Sequence, residues 1–171
     1  MIQINRLPAA GRTDQNKALN FTFNGKDYQG IAGDTLASAL LANGVDVVGR
    51  SFKYARPRGI FGHGPEEPNA IMQIGSGAST IPNLKATQVE LYEGLEASSV
   101  NGWPSVNFDV MGLIGAFGRL MPPGFYYKTF MYPKKLWMTY ERFIRKAAGL
   151  GSSPIESDPD SYEKLNQHCD V

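Results

Sequence analysis

The sequence predicts an α+β fold in which a sheet wraps a single helix, followed by a helical, aromatic-rich extension. An early hairpin signal, one capped helix directly after it and an apolar segment predict the domain, and hydrophobic residues at helical spacing predict the extension. Nineteen glycines and 11 prolines indicate many turns, which argues against a helix bundle. We divide the chain into an N-terminal arm (1–18), the α+β domain (19–104), the extension (105–150) and a linker with the start of a further domain (151–171).

A hairpin opens the domain. Phe21 and Phe23 alternate with polar positions, as expected for a strand with one buried face. Asn24 and Gly25 follow, and both tolerate the positive φ that a two-residue hairpin turn requires. Tyr28 then begins the return strand.

One helix follows the hairpin. Asp34 or Thr35 can cap it, because a side-chain oxygen accepts an amide hydrogen of the first turn. Apolar spacing predicts the helix over residues 36–43, and Gly44 supplies a left-handed stop. The valines within 45–48 begin an apolar segment. Hairpin, helix and apolar segment in this order predict the opening of a β-grasp fold.

The second half of the domain has weaker signals. We expect residues 50–69 to be irregular and residues 70–75 to form a strand. Residues 76–85 are predicted to be a loop, and the alternating pattern of 86–91 predicts another strand. The domain is expected to close at residue 104.

Two helices are predicted in the extension. The first is indicated by helical spacing of Val110, Leu113, Ile114, Phe117 and Leu120, and prolines 122 and 123 stop it. The second is expected from residue 133 or 134 to 148. Its predicted buried stripe consists of Trp137, Tyr140, Ile144 and Ala148.

Charge and cysteine content exclude several classes of protein. The net charge is +1, which argues against a dedicated nucleic-acid-binding domain. The one cysteine, Cys169, permits no intrachain disulfide and no multi-cysteine zinc or iron–sulfur site. We expect Cys169 to be a buried packing residue and His168 to be structural. The sequence contains no signal-peptide pattern and no membrane-length apolar run, so a cytoplasmic protein is expected.

The arginine loop, residues 50–64, is the candidate binding region. Its basic residues could bind a flavin or nucleotide phosphate, or an acidic patch on a partner subunit. Glycine in the loop lets backbone amides approach an anion, although its spacing does not match a dinucleotide fingerprint. The alternatives are a solvated loop, or arginines paired with Glu66, Glu67 or other acids within the fold. The candidate contact residues are Arg50, Lys53, Arg56, Arg58, Gly59 and His63; no catalytic or metal-binding residue is predicted, and a surface or interface role is expected for His63.

Residues 119–146 combine seven basic residues with one acid and many aromatic residues. This combination occurs in surfaces that bind single-stranded nucleic acid and in protein interfaces. The near-neutral net charge argues against the nucleic-acid alternative, and an interface surface of this kind would promote self-association when exposed.

Three stretches carry a resemblance to a known family. They are GDTLASALLANGV (33–45), VVGRSFKYARPRGIFGHGPEEPNA (47–70) and HCDV (168–171). They resemble the first domain of heterotetrameric sarcosine oxidase alpha subunits. Related subunits of hydrogen cyanide synthase and of amino-acid or opine dehydrogenases carry a cysteine-rich loop with a [2Fe–2S] cluster. The corresponding loop here, residues 50–64, has no cysteine, so the resemblance implies a ferredoxin-like domain that lacks the cluster ligands.

The resemblance also implies what a complete enzyme would do. It would demethylate sarcosine oxidatively to glycine, with oxygen as electron acceptor and tetrahydrofolate as one-carbon acceptor. FAD, FMN, NAD and tetrahydrofolate would serve the whole enzyme, with none bound by residues 1–171. The partners would be the remaining alpha-subunit domains and the beta, gamma and delta subunits. The terminal HCDV is expected to start a dinucleotide-binding domain that is truncated here.

Two other readings remain open. The chain could be a subunit domain of a related flavin-dependent dehydrogenase or cyanide synthase. It could instead be a stand-alone interaction or nucleic-acid-binding module, although nucleic acid is the less favoured partner.

Overall fold

The computed structural model describes residues 3–8, 11, 13–116, 124 and 132–169. The strands are β1 (Asp14–Phe23), β2 (Lys26–Ala32), β3 (Gly49–Arg50), β4 (Pro57–Arg58), β5 (Ile71–Ile74), β6 (Ile81–Lys85) and β7 (Leu95–Ser99). The α-helices are α1 (Leu36–Ala42), α2 (Met111–Ala116) and α3 (Trp137–Ala148). Short 3₁₀ turns occupy Gly77–Ser79 and Lys134–Leu136.

Five of the strands form one mixed sheet in the order β2-β1-β7-β5-β6. β1 lies between an antiparallel neighbour, β2, and a parallel neighbour, β7. β5 runs antiparallel to both β7 and β6. β3 and β4 form a separate two-stranded ribbon. A mixed sheet with few helices confirms the predicted α+β class.

The hairpin forms where the sequence predicts it. Asn24 and Gly25 adopt φ values of 51° and 72° at the turn, which places Phe21 opposite Tyr28. The two rings stack with centroids 5.7 Å apart, and Phe21 and Phe23 are both buried. β1 begins at Asp14, so the strand extends into the segment that we assigned to the arm.

The helix α1 supplies the centre of the core. Thr35 is its N-cap: the Thr35 hydroxyl accepts from the Ser38 amide at 3.2 Å, and the Ser38 hydroxyl accepts from the Thr35 amide at 2.9 Å. Leu36 and Leu40 are 0% exposed and pack in the core cluster with the phenylalanines of β1. Gly44 follows the helix with φ 75°, as predicted.

The N-terminal residues lie along this helix. The Asn5 amide donates to the carbonyl of Ala42 at 3.0 Å, and the Arg6 guanidinium pairs with the buried carboxylate of Asp34. Asp34 also accepts hydrogen bonds from the Ile31 amide at 3.0 Å. The arm therefore contacts both ends of α1.

Two assignments in the second half of the domain are wrong. Residues 81–85, which we predicted within a loop, form β6, and residues 86–91, which we predicted as a strand, form turns. The alternation in 86–91 arises because this segment packs on α1: the amides of Leu36 and Ala37 donate to the carbonyls of Val89 and Ala86. β7 was not predicted from the sequence, although its Leu95 is fully buried.

α2 and α3 lie within the two helices that were predicted for the extension, whereas the burial predicted for the second of them is not observed among the described residues. α2 coincides with the start of the first predicted helix, whereas the rest of that helix and prolines 122 and 123 lie outside the described residues. α3 follows a 3₁₀ turn and ends at Ala148, as predicted. No residue of α3, all of which is described, is buried, and Trp137 is 48% exposed. The predicted stripe is therefore not buried against the part of the chain that the structure describes.

Residues 150–169 have no helix or strand beyond turns and bends. His168 and Cys169 are exposed, so the predicted burial of Cys169 in a terminal strand is wrong, and residues 170 and 171 lie outside the described part. Within the described residues, every helix is too short or too polar to cross a membrane.

The position of α1 predicts how its two adjacent leucines respond to truncation. Leu40→Ala should lower the free energy of unfolding by about 2–5 kcal/mol, because it leaves a cavity in the core. Leu41→Ala is the matched control, since Leu41 is 39% exposed on the same helix. Urea unfolding followed by circular dichroism measures both, and equal losses would contradict the core position of Leu40.

Candidate functional site

The arginine loop begins in the β3–β4 ribbon. The amide of Val48, a buried residue, donates to the carbonyl of Arg58 at 2.9 Å, and the Ser51 amide donates to the carbonyl of Arg56 at 2.9 Å. These bonds return the chain on itself and place residues 56–58 at the exposed side of the ribbon.

Arg50 is committed to contacts within the fold. Its guanidinium donates to three backbone carbonyls, those of Val106 at 2.5 Å, Asn107 at 2.8 Å and Ala55 at 3.0 Å. The Asn101 side chain in turn bonds to both the amide and the carbonyl of Arg50. Arg50 therefore joins the arginine loop to the segment after β7 and is not placed as an anion-binding residue.

The next two basic residues flank one aromatic ring. The Lys53 ammonium lies 5.0 Å and the Arg56 guanidinium carbon 4.8 Å from the centroid of Tyr54. Cation–π contacts of this kind hold a cation at a defined position while leaving it in solvent. Arg56 and Arg58 are both exposed, so the structure presents both of these predicted contact residues outwards.

Gly59 and His63 have different surroundings. A Cβ added at Gly59 would lie 2.7 Å from the carbonyl oxygen of Asp46, so glycine here permits a close backbone approach. The His63 side chain is fully exposed, and its Nδ1 lies 3.4 Å from a carboxylate oxygen of Glu66. Neither residue contributes to an enclosed site.

The centre of this region is a buried carboxylate that was not among the predicted contact residues. Glu67 is 0% exposed. Its carboxylate accepts from four backbone amides: those of Phe61 at 2.7 Å, Gly62, Asn69 at 2.7 Å and Ala70 at 3.2 Å. The Gly62 amide, which we considered for an external anion, is thus bound by an anion of the chain itself.

Glu66 makes a smaller version of the same arrangement. One of its carboxylate oxygens accepts from the amides of His63 and Gly64, both at 3.0 Å. Neither glutamate pairs with an arginine of the loop among the described residues. The predicted pairing of arginines with Glu66 or Glu67 is therefore wrong, because backbone amides donate to both carboxylates instead. An acid pair inside a glycine- and proline-rich turn, GHGPEEPN, is the signal that could have indicated Glu67.

The surroundings of Glu67 have opposing effects on its pKa. Burial raises the pKa, but the amides of Gly62, Asn69, Phe61 and Ala70 stabilise the charged form, and together they hold the pKa below its ordinary value of 4.5. Glu67 is therefore ionised at neutral pH.

Comparisons with known proteins agree with the resemblance seen in the sequence. A family model described as a 2Fe–2S iron–sulfur cluster binding domain matches residues 16–102. The chain is 57% identical over 167 residues to the sarcosine oxidase subunit alpha of Rhizobium meliloti (strain 1021), covering 97% of this chain and 17% of that protein. It is 42% identical over 104 residues to the sarcosine oxidase subunit alpha of Corynebacterium sp. (strain P-1), covering 57% and 11% of the two chains.

A solved structure is also similar. L-proline dehydrogenase from P. horikoshii matches with a TM-score of 0.41 and 25% identity, over 56% of this chain and 17% of that one. The chain spans less than a fifth of the length of the curated relatives that it matches. The predicted resemblance to sarcosine oxidase alpha subunits is confirmed.

The residues present do not fit a [2Fe–2S] cluster. Such a cluster is held by cysteine thiolates, with histidine replacing some of them in one class of site. The matched residues 16–102 contain no cysteine and one histidine, His63, and Cys169 lies outside them. Among the described residues, no group of three or more histidine, cysteine, aspartate or glutamate side chains could hold a metal ion.

Removing the charge of Glu67 should destabilise the chain. Glu67→Gln replaces a carboxylate, whose two oxygens only accept, by a side-chain amide whose nitrogen directs two donor hydrogens at the same backbone amides. We expect the free energy of unfolding to fall by an amount on the order of 3 kcal/mol at pH 7. Because the pKa is lowered in the folded state, the wild-type chain should lose this stability as pH falls below 4.5. The free energy of unfolding of the variant should lack this dependence on pH. Urea unfolding between pH 3 and 7 measures both effects.

Glu66→Gln is the control for this experiment. Glu66 lies one residue away in the same turn and accepts hydrogen bonds from two amides. Because its side chain is exposed, water replaces the hydrogen bonds that the substitution weakens. A loss as large as that of Glu67→Gln would contradict the special role of the buried carboxylate.

Proposed function

The chain belongs to the family of 2Fe–2S iron–sulfur cluster binding domains, and we propose that it is a structural and assembly domain of a sarcosine oxidase alpha subunit. The observation that carries this proposal is the 57% identity to such a subunit over 97% of the chain. This identity extends over the extension as well as the α+β domain, so we propose that both belong to one subunit of this kind.

The activity belongs to the proposed whole enzyme. That enzyme would be an oxidoreductase acting on CH–NH groups, which demethylates sarcosine to glycine and passes the one-carbon unit to tetrahydrofolate. FAD, FMN and NAD would be held by other parts of the assembly, and the remaining alpha-subunit domains and the beta, gamma and delta subunits would be the partners. The 171-residue chain by itself would be inactive. We place the enzyme in the cytoplasm.

The proposed domain is a β-grasp that carries no cluster. The ligand requirement of a cluster supports this proposal, since residues 16–102 contain no cysteine thiolate. The contacts of Glu67 support it as well. In iron–sulfur proteins backbone amides donate to the cluster sulfurs, whereas the loop amides of Phe61 and Gly62 already donate to a carboxylate.

Anaerobic reconstitution tests the absence of a cluster. The purified chain is incubated with ferrous iron, sulfide and a thiol reductant, desalted, and examined by visible spectroscopy and iron analysis. We expect absorbance only in the aromatic band and iron near zero. Visible absorbance with about two iron atoms per chain would contradict the proposal, because it would show that the domain binds a cluster without a set of cysteine ligands. Cys169→Ser is the control, because it removes the one thiol of the chain.

The exposed arginines are proposed to contact a partner. Arg56 and Arg58 flank a proline on the outer side of the β3–β4 ribbon, and Tyr54 holds the first of them in place. Proline restricts the backbone between them and holds the two arginines apart. Arginine pairs well with carboxylate or phosphate groups, so the proposed contact is an acidic surface or an anionic group of another part of the enzyme.

A chimeric enzyme tests both the assembly role and this contact. The matching segment of the Rhizobium meliloti alpha subunit is replaced by this chain and produced with the other subunits of that enzyme. We expect the chimera to assemble and to consume oxygen when sarcosine is added. Changing Arg56 and Arg58 to alanine together should lower the yield of assembled enzyme about tenfold.

The matched control changes Lys17 and Lys26 to alanine. Both lysines are exposed on the β1–β2 hairpin, so the control removes the same charge from a different surface. Failure of the unaltered chimera to assemble would contradict the proposed function. Equal yields from the two double variants would contradict the arginine contact alone.

A further inference from the structure

An open apolar cavity of about 520 Å³ lies between the arginine loop, the segment after β7 and the helices of the extension. Its lining includes Phe52, Trp103, Met111, Phe143 and Ile144. Trp103, Met111 and Phe143 are exposed. Single exposed apolar residues are common on protein surfaces, but a concave group of aromatic and aliphatic side chains marks a binding surface.

Several polar groups around the cavity are already bonded within the chain. The Arg50 guanidinium donates to three carbonyls, and the Asn101 side chain bonds to the backbone of Arg50. One carboxylate oxygen of Asp109 accepts from the amides of Trp103 at 3.3 Å and Met111 at 3.0 Å. Small-molecule sites contain a few polar groups that converge on the ligand. This cavity instead offers apolar contact, which favours a polypeptide.

The charge at the rim indicates what kind of polypeptide fits. Lys146 of α3 lines the cavity. α3 carries three basic residues and one acid, and that acid, Glu141, is paired with Arg145 at 2.7 Å. The rim is therefore positive, and a complementary segment would bring acidic residues beside its apolar ones.

The curated relatives supply a candidate for the occupant. This chain covers 17% of the Rhizobium meliloti alpha subunit, so most of such a polypeptide lies outside the segment matched here. We propose that the cavity receives an apolar segment with flanking acidic residues from the remainder of the alpha-subunit polypeptide. This inference rests on the proposed function and adds the surface and the chemistry of its occupant.

Thiol labelling of the chimeric enzyme tests the inference. Phe143→Cys and Met138→Cys place a thiol on the same helix at positions of equal exposure, 69% and 68%, of which only Phe143 lines the cavity. Each is made in the 171-residue chain and in the chimeric alpha subunit assembled with its partner subunits. Maleimide modification of the peptide that contains each thiol is followed by mass spectrometry.

The expected result is protection at one position only. In the 171-residue chain both thiols should react at similar rates. In the assembled chimera the thiol from Phe143→Cys should react at least about tenfold more slowly, because the centre of an interface excludes solvent, whereas the thiol from Met138→Cys should be little changed. Sedimentation of each variant chain, and its thermal unfolding, are compared with those of the unaltered chain.

Each other outcome contradicts a specific statement. Equal labelling in an active, assembled chimera would overturn the cavity inference and leave the proposed function intact. Protection already present in the 171-residue chain would mean that a second copy or the chain itself covers the cavity, and sedimentation would separate these two. A chimera that does not assemble would overturn the proposed function and this inference with it.

Discussion

The contacts of the buried Glu67 carboxylate determine the path of the chain from the arginine loop into β5. Four amides converge on it from both sides of the turn, so residues 61–62 and 69–70 are held together by one anion. The cost of burying this charge is offset by those amides, which also keep the pKa below its ordinary value. Thr87 adds a bond from its hydroxyl to the carbonyl of Gly64 at 2.8 Å. The loop is therefore closed by its own groups and needs no external ligand to define its backbone.

The contacts of Glu67 suggest how a domain of an iron–sulfur family keeps its loop ordered without cysteine ligands. An iron–sulfur cluster cross-links its loop by covalent ligation and also accepts amide hydrogen bonds at sulfur. A carboxylate supplies the second of these interactions but not the first, so Glu67 can organise backbone while offering no redox chemistry. The remaining cross-link is Arg50, whose guanidinium joins the loop to the carbonyls of residues 106 and 107. With these two anchors, the exposed Arg56 and Arg58 are held on a fixed ribbon rather than on a free loop.

The hairpin, α1 and α3 could be predicted from the sequence because their signals are local. Asn24-Gly25, the cap at Thr35 and the glycine after each helix act within a few residues. β7 could not be predicted in this way, since the stretch LEASS is a poor strand by propensity and forms by pairing with β1 across about 75 residues. The role of Glu67 could not be predicted for a related reason. Its partners are backbone amides, which leave no pattern of side chains in the sequence.

The wrong prediction for α3 has a physical explanation of its own. Helical spacing of apolar residues shows that one face of a helix is suited to burial, but it does not identify the surface that buries it. The stripe through Trp137, Tyr140 and Ile144 is present, yet none of the three is buried against described residues. An amphipathic helix of 12 residues gains most of its stability from packing of that face. The sequence pattern and the exposure agree once α3 is taken to pack on a surface beyond the described residues, which is the arrangement that the proposed assembly role requires.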